Sequence, residues 1–145
     1  MKKIVISALA ILMASSASLM AADQISESEL PKRARNFITV CFADDPVSSI
    51  EKESNLRGTE YEVAFNSGTE LEFNYDGTWR KISAAPGKAI ADNFVPKAIA
   101  DYVSKEYPGV YISQILKNHK GYEVELSNDH DLHFDSKEKF VRVDR

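Results

Sequence analysis

One run of residues is written twice, and that duplication limits the possible folds more than anything else in the chain. Tyr61-Glu62-Val63-Ala64-Phe65 is answered by Tyr122-Glu123-Val124-Glu125-Leu126. The same offset carries Leu71 to Leu132, Phe73 to Phe134, Trp79 to Phe140 and Ile82 to Val143 without a gap. A slightly longer offset carries Pro31 to Pro96, Ala34 to Ile99, Phe37 to Tyr102, Ile38 to Val103 and Phe42 to Tyr107. Aromatic and aliphatic sites keep their order through both segments, which points to a duplication. The repeat predicts two units, about 28–83 and 93–145, joined by the small-residue and Pro86-Gly87 stretch between Ala84 and Asn93.

Within each unit the apolar period changes. Ala34, Phe37, Ile38 and Cys41 recur at helical spacing, as do Ile99, Tyr102 and Val103, making one apolar stripe on each helix. Pro31 and Pro96 suit a first helical turn, where no amide hydrogen is needed; Asp45-Pro46 and Pro108-Gly109 mark the far ends. Beyond the helices the period becomes two. Tyr61, Val63 and Phe65 alternate with Glu60, Glu62 and Ala64; Leu71 and Phe73 with Glu70, Glu72 and Asn74. Tyr122, Val124 and Leu126 alternate with Glu123 and Glu125; Leu132 and Phe134 with Asp131, His133 and Asp135. This is the pattern of antiparallel strands with one face buried and one wet. Asn66-Ser67-Gly68, Tyr75-Asp76-Gly77 and Asn128-Asp129 supply turns between them. Further strands are expected near Val47–Lys52 and Val110–Leu116. The predicted class is α+β: two tandem repeats of one helix plus three or four antiparallel strands, helices packed on one face of the sheet. The two sheets are expected to join or to lie side by side in a single domain, 23–145.

The start of the chain gives an address. Lys2 and Lys3 precede a short apolar run from Ile4 to Ala14, then small residues through Ala22, the layout of a secretory signal peptide over residues 1–22. The run is shorter than the roughly 20 residues a bilayer core needs. An exported product, periplasmic or secreted, is expected, without membrane insertion once the leader is removed. Acidic residues outnumber basic ones, 22 to 18, with no basic cluster, so nucleic acid and anionic lipid are poor partners. Cys41 is the single cysteine, so no intrachain disulfide can form; it is expected in the core, not as a nucleophile.

Laid out in this way, the chain resembles the PepSY-like, β-lactamase-inhibitor-like family of exported bacterial proteins. The resemblance rests on Leu30-Pro31, Val95-Pro96, Tyr107-Pro108 and the two hairpins, with Asp76-Gly77-Thr78-Trp79 in the first. It implies a helix-plus-sheet fold without known enzymatic activity, similar to a secreted inhibitor that grips β-lactamase with a concave sheet face. PepSY modules, a more distant likeness, also occur in protease propeptides. The second unit departs from the pattern with Lys137-Glu138-Lys139-Phe140, and no inhibitory loop can be matched.

Candidate chemistry is sparse. Asp131, His133 and Asp135 share a strand face, and imidazole with carboxylate suits zinc, but a closed site needs about four ligands and the matching strand offers only Glu70, Glu72 and Asn74. Paired carboxylates such as Glu62 with Glu72 or Glu123 with Glu125 lack the apolar pocket that raises a catalytic acid, and no serine lies in a nucleophile elbow. No catalytic residue, metal ligand or cofactor is assigned. The partner-binding candidates are Glu62, Glu70, Glu72, Glu123, Glu125, Asp131 and His133 on the wet face, with Tyr75 and Trp79 as rim aromatics, or Trp79 as a core-edge residue like Phe140. The expected function is non-enzymatic docking to another exported or cell-surface protein. The alternative is a cell-envelope sensor of a small ligand or metal ion. Oligomeric state stays open.

Overall fold

The structure is a computed structural model that describes residues 22–145. All but the last residue of the predicted leader lies outside the described residues.

Nine strands form one antiparallel sheet in chain order: β1 (Asp23–Gln24), β2 (Val47–Asn55), β3 (Gly58–Phe65), β4 (Glu70–Asn74), β5 (Trp79–Ser83), β6 (Ile112–Asn118), β7 (Gly121–Leu126), β8 (Asp131–Asp135) and β9 (Phe140–Asp144). Among the described residues two α-helices of ten residues each accompany it, α1 (Lys32–Cys41) and α2 (Lys97–Glu106). This overturns the expected pair of tandem helix-plus-strand units with helices packed on a sheet face. The sheet is single and dominant, and β5 pairs directly with β6 through Lys81↔Leu116, Ile82↔Ile115 and Ser83↔Gln114. The physical reason lies at that seam. Ile82 and Ile115 are both buried, and separate units would expose each as part of a bare, hydrogen-bond-hungry edge.

Alternation decides which side chains are dry. Registered neighbours Leu71, Ile82, Ile115, Val124 and Leu132 run across five strands, each at 2% exposure or less. Val63, Phe73 and Phe134 are buried on the same side, and the core also takes in Ala34 and Ile38 of α1 and Ile99 and Val103 of α2. Phe37 meets Phe73 edge-on, with centroids 5.9 Å apart, and Tyr102 meets Phe134 at 5.4 Å. Edge-to-face rings at such distances add roughly 1 kcal/mol beyond burial. Cys41 lies on the half-exposed flank of α1, not in the core.

Two hairpins have the same construction. In each an asparagine side chain accepts an amide hydrogen from the residue two places on, Arg57 or Lys120, at 2.7 Å. A glycine at positive φ then begins the next strand, Gly58 (+127°) or Gly121 (+141°). A bulge between Glu72 and Phe73 puts both Arg80 and Lys81 beside the Glu72 carboxylate of β4.

Candidate functional site

The side of the sheet opposite the apolar row carries the candidate site, because successive side chains of a strand point to opposite faces. Register lines up Glu51, Glu62, Glu72, Lys81, Leu116, Glu123, His133 and Arg142, one from each strand from β2 to β9. None of the eight is buried. A parallel row runs through Ala64, Glu70, Ser83, Gln114, Glu125, Asp131 and Asp144. Glu62, Glu70, Glu72, Glu123, Glu125, Asp131 and His133 are therefore brought onto one face.

The two ends of this face are neutralised differently. On the β3–β5 side, Arg80 pairs with Glu60 and, at 3.3 Å, with Glu72, while Lys81 Nζ donates to the other Glu72 oxygen at 3.1 Å. Glu72 is thus held by two cations. Its neighbour Glu62 is not: burial first, then the charges of Glu70, Glu72 and Glu51, push its carboxyl above the usual glutamate range, with Lys81 opposing. At the first edge Gln24 Nε2 donates to Glu51 at 2.6 Å. On the β7–β9 side, His133 reaches Asp144 at 3.0 Å and Glu123 at 3.6 Å, and Arg142 also holds Asp144. The Arg142 hydrogen bond is the main reason the Asp144 carboxyl falls below its usual range.

Between the ends lies a shallow cleft lined by Glu70, Lys81, Ser83, Gln114, Glu125 and Asp131. Burial pushes Glu125 up, reinforced by Asp131 and Asp129; burial also pushes Asp131 up, against the pull of His133. The centre of the face therefore keeps carboxylates that cost energy to ionise and that a cationic partner would relieve. Among the described residues no group of three or more His, Cys, Asp or Glu side chains could hold a metal ion.

Tyr75 and Trp79 stand apart from this face. Tyr75 is 72% exposed in the turn after β4. Trp79 is in register with Phe73 on the apolar side, 6.5 Å from the Phe37 ring, and Lys117 Nζ sits 3.8 Å above its own ring centroid. Sequence reasoning passed over Arg80, Lys81, Glu51 and Arg142. Their signal was a basic pair directly after an aromatic, and charges of both signs on strands that must flank an acidic pair.

The family described as "Putative beta-lactamase-inhibitor-like, PepSY-like" matches residues 59–142, from β3 into β9. A putative calcium-regulated periplasmic protein from Bacteroides thetaiotaomicron is 32% identical, with a TM-score of 0.79 over 85% of this chain and 96% of that one. A periplasmic protein from Bacteroides vulgatus is 31% identical, with a TM-score of 0.78 over 85% and 96%. A second from that species, of unknown function, is 32% identical, with a TM-score of 0.79 over 85% and 100%. No curated protein matches the chain. Among the described residues no helix is long and apolar enough to cross a membrane. With periplasmic relatives along nearly their whole length, this is an exported, periplasmic protein, and it belongs to the PepSY-like, β-lactamase-inhibitor-like family.

Proposed function

We propose that the chain is a non-enzymatic docking module that binds another exported or cell-surface protein through the polar face of its sheet. The reading is carried by the registered row from Glu51 to Arg142, which crosses eight strands and stays partly exposed throughout. A rigid, hydrogen-bonded sheet presents these charges at fixed spacing, so little ordering entropy is lost on docking. Complementary charge would set the partner and its register more than raw affinity. The inhibitor-like family description supports the same reading, with occlusion of a partner's surface as the mechanism. The test is recovery of a partner from periplasmic extract by the wild-type protein, by Glu62→Lys with Glu125→Lys, and by Lys97→Glu on the exposed side of α2. A partner retained by the α2 variant and lost by the face variant supports the proposal; equal recovery by all three overturns it.

The alternative, a cell-envelope sensor of a small ligand or metal ion, draws on the relative described as calcium-regulated and on the acidic lining of the central cleft, Glu70, Glu125 and Asp131, which would have to draw together around an ion because they form no ready-made metal group. Calcium binding only the folded state would raise the melting temperature with ion concentration. Loss of that rise in Glu125→Gln with Asp131→Asn would favour this reading, and no rise at millimolar calcium would remove it.

A further inference from the structure

The apolar side of the sheet has an open margin where α1, the turn 75–78 and β6 meet. Arg33, Phe37, Val40, Trp79 and Lys117 line a cleft there. Lys117 lies over the Trp79 ring, and no ion pair to Lys117 or Arg33 is formed among the described residues. Asp76 feels the Arg33 charge, but its carboxylate accepts from the Thr78 amide and hydroxyl at 3.0 and 2.6 Å. Burial, and then the charge of Arg33, depress the Lys117 ammonium below its usual range. Two cations thus share one margin of an otherwise acidic protein.

The helices sharpen the contrast. Each begins with a lysine after a proline, and in α2 Lys97 donates to Asp101 one turn on at 2.6 Å. At the same helical position α1 carries Asn36; neither helix has an acid in its first turn, but α1 places both Lys32 and Arg33 there where α2 places Lys97 alone. Cations at a helix N-terminus oppose the peptide dipoles, an arrangement that costs stability unless an anion offsets it. The apolar surroundings differ too. Tyr102 stacks on Phe140 at 4.8 Å in the second half, whereas Trp79 and Phe37 are 6.5 Å apart and Val40 is 80% exposed.

We propose that this cleft is a second docking site, for an acidic peptide segment of a partner protein. A carboxylate of the segment sits between Arg33 and Lys117, and an adjoining apolar side chain covers Val40 and the Trp79 edge. The site is independent of the polar face. A carboxylate there offsets the half-buried Lys117 and the exposed Arg33 together, through charge-assisted hydrogen bonds that are stronger than neutral ones.

Trp79 is the single tryptophan of the chain, so its emission reads this cleft directly. The probe is a blocked pentapeptide, Leu-Glu-Leu-Glu-Leu, titrated against the full chain beside its Gln counterpart and inorganic phosphate. A saturable change with the acidic peptide, weakened at least tenfold in Arg33→Gln and in Lys117→Gln and unchanged in Glu125→Lys, is the expected result. Circular dichroism checks that each variant is folded, and the exposed Arg33 site tolerates substitution even if Lys117 does not. No saturable change, an equal response to the neutral peptide or to phosphate, or wild-type binding by Arg33→Gln overturns the proposal. Because the extract pull-down reads the polar face and the Trp79 titration reads this cleft, failure there and failure here are read separately.

Discussion

Replacing Gly121 by alanine should damage the fold far more than replacing Gly58, although the two glycines begin the same kind of strand after the same kind of turn. Both have strongly positive φ, +127° and +141°, where an L side chain is strained by about 1–3 kcal/mol. Alanine also stiffens the unfolded chain, returning about 0.4–1 kcal/mol, so the conformational cost alone is roughly 1–2 kcal/mol at either site. At Gly58 a new Cβ meets nothing within 4 Å. At Gly121 it would lie 2.1 Å from the Phe134 carbonyl oxygen and 2.5 Å from the Asp135 carbonyl carbon, both backbone atoms of β8. No rotamer change relieves that overlap. The strand must move, breaking up the pairs Gly121↔Asp135 and Tyr122↔Phe134. Weakening two ladder hydrogen bonds at about 1 kcal/mol each, with some repacking of Phe134 at about 1–3 kcal/mol, adds roughly 3–5 kcal/mol. For a domain of this size about 4 °C is lost per kcal/mol, so Gly58→Ala should melt about 4–8 °C below wild type and Gly121→Ala at least about 15 °C below. Thermal melts followed by far-ultraviolet circular dichroism and urea melts followed by Trp79 emission measure both. Equal destabilisation, or a Gly121→Ala variant within about 1 kcal/mol of Gly58→Ala, would refute the close approach of the two strands.

Ile82→Ala, at the β5–β6 seam, should cost about 2–5 kcal/mol in urea melts, because Ile82 is 2% exposed against Ile115. Arg80→Met should cost about 1 kcal/mol in dilute buffer and less in 1 M salt, since it leaves Glu60 and Glu72 short of a partner in a partly exposed network. Glu62→Gln should stabilise the protein at neutral pH. Its folded carboxyl titrates above the ordinary glutamate value, so its favourable contribution is present below that value and is lost as pH rises through the raised one. The melting temperatures of variant and wild type should therefore converge in acid and separate toward neutrality; a less stable variant at pH 7 contradicts this.

Strand faces were legible because burial follows a period of two: Val63, Leu71, Phe73, Val124, Leu132 and Phe134 are all at 3% exposure or less. The same alternation located Glu62, Glu72, Glu123 and His133, whose neighbours on the sheet are set by short hairpins. What the chain did not disclose is non-local. The β5–β6 pairing joins residues separated by α2 and a connecting loop, and three register pairs decide whether the molecule has one sheet or two. Alternation also fails where a bulge falls, which hid Arg80 and Lys81 as partners of Glu72. Trp79 was ambiguous because an aromatic at a strand start can serve core or rim, and only the positions of Phe37 and Lys117 decide between them.

Strict chain order in the sheet has a bearing on biogenesis. A polypeptide that crosses a membrane as an unfolded thread presents its segments one after another, and here each newly delivered strand finds its docking neighbour already outside. Except at β5, whose free edge stays open until α2 and β6 have followed, no strand waits for a distant stretch still inside the cell, so loop closure stays inexpensive at most steps. Assembly can advance like a zip from the leading end, and the span most open to envelope proteases is the pause in which α2 has emerged and β6 has not yet closed on β5.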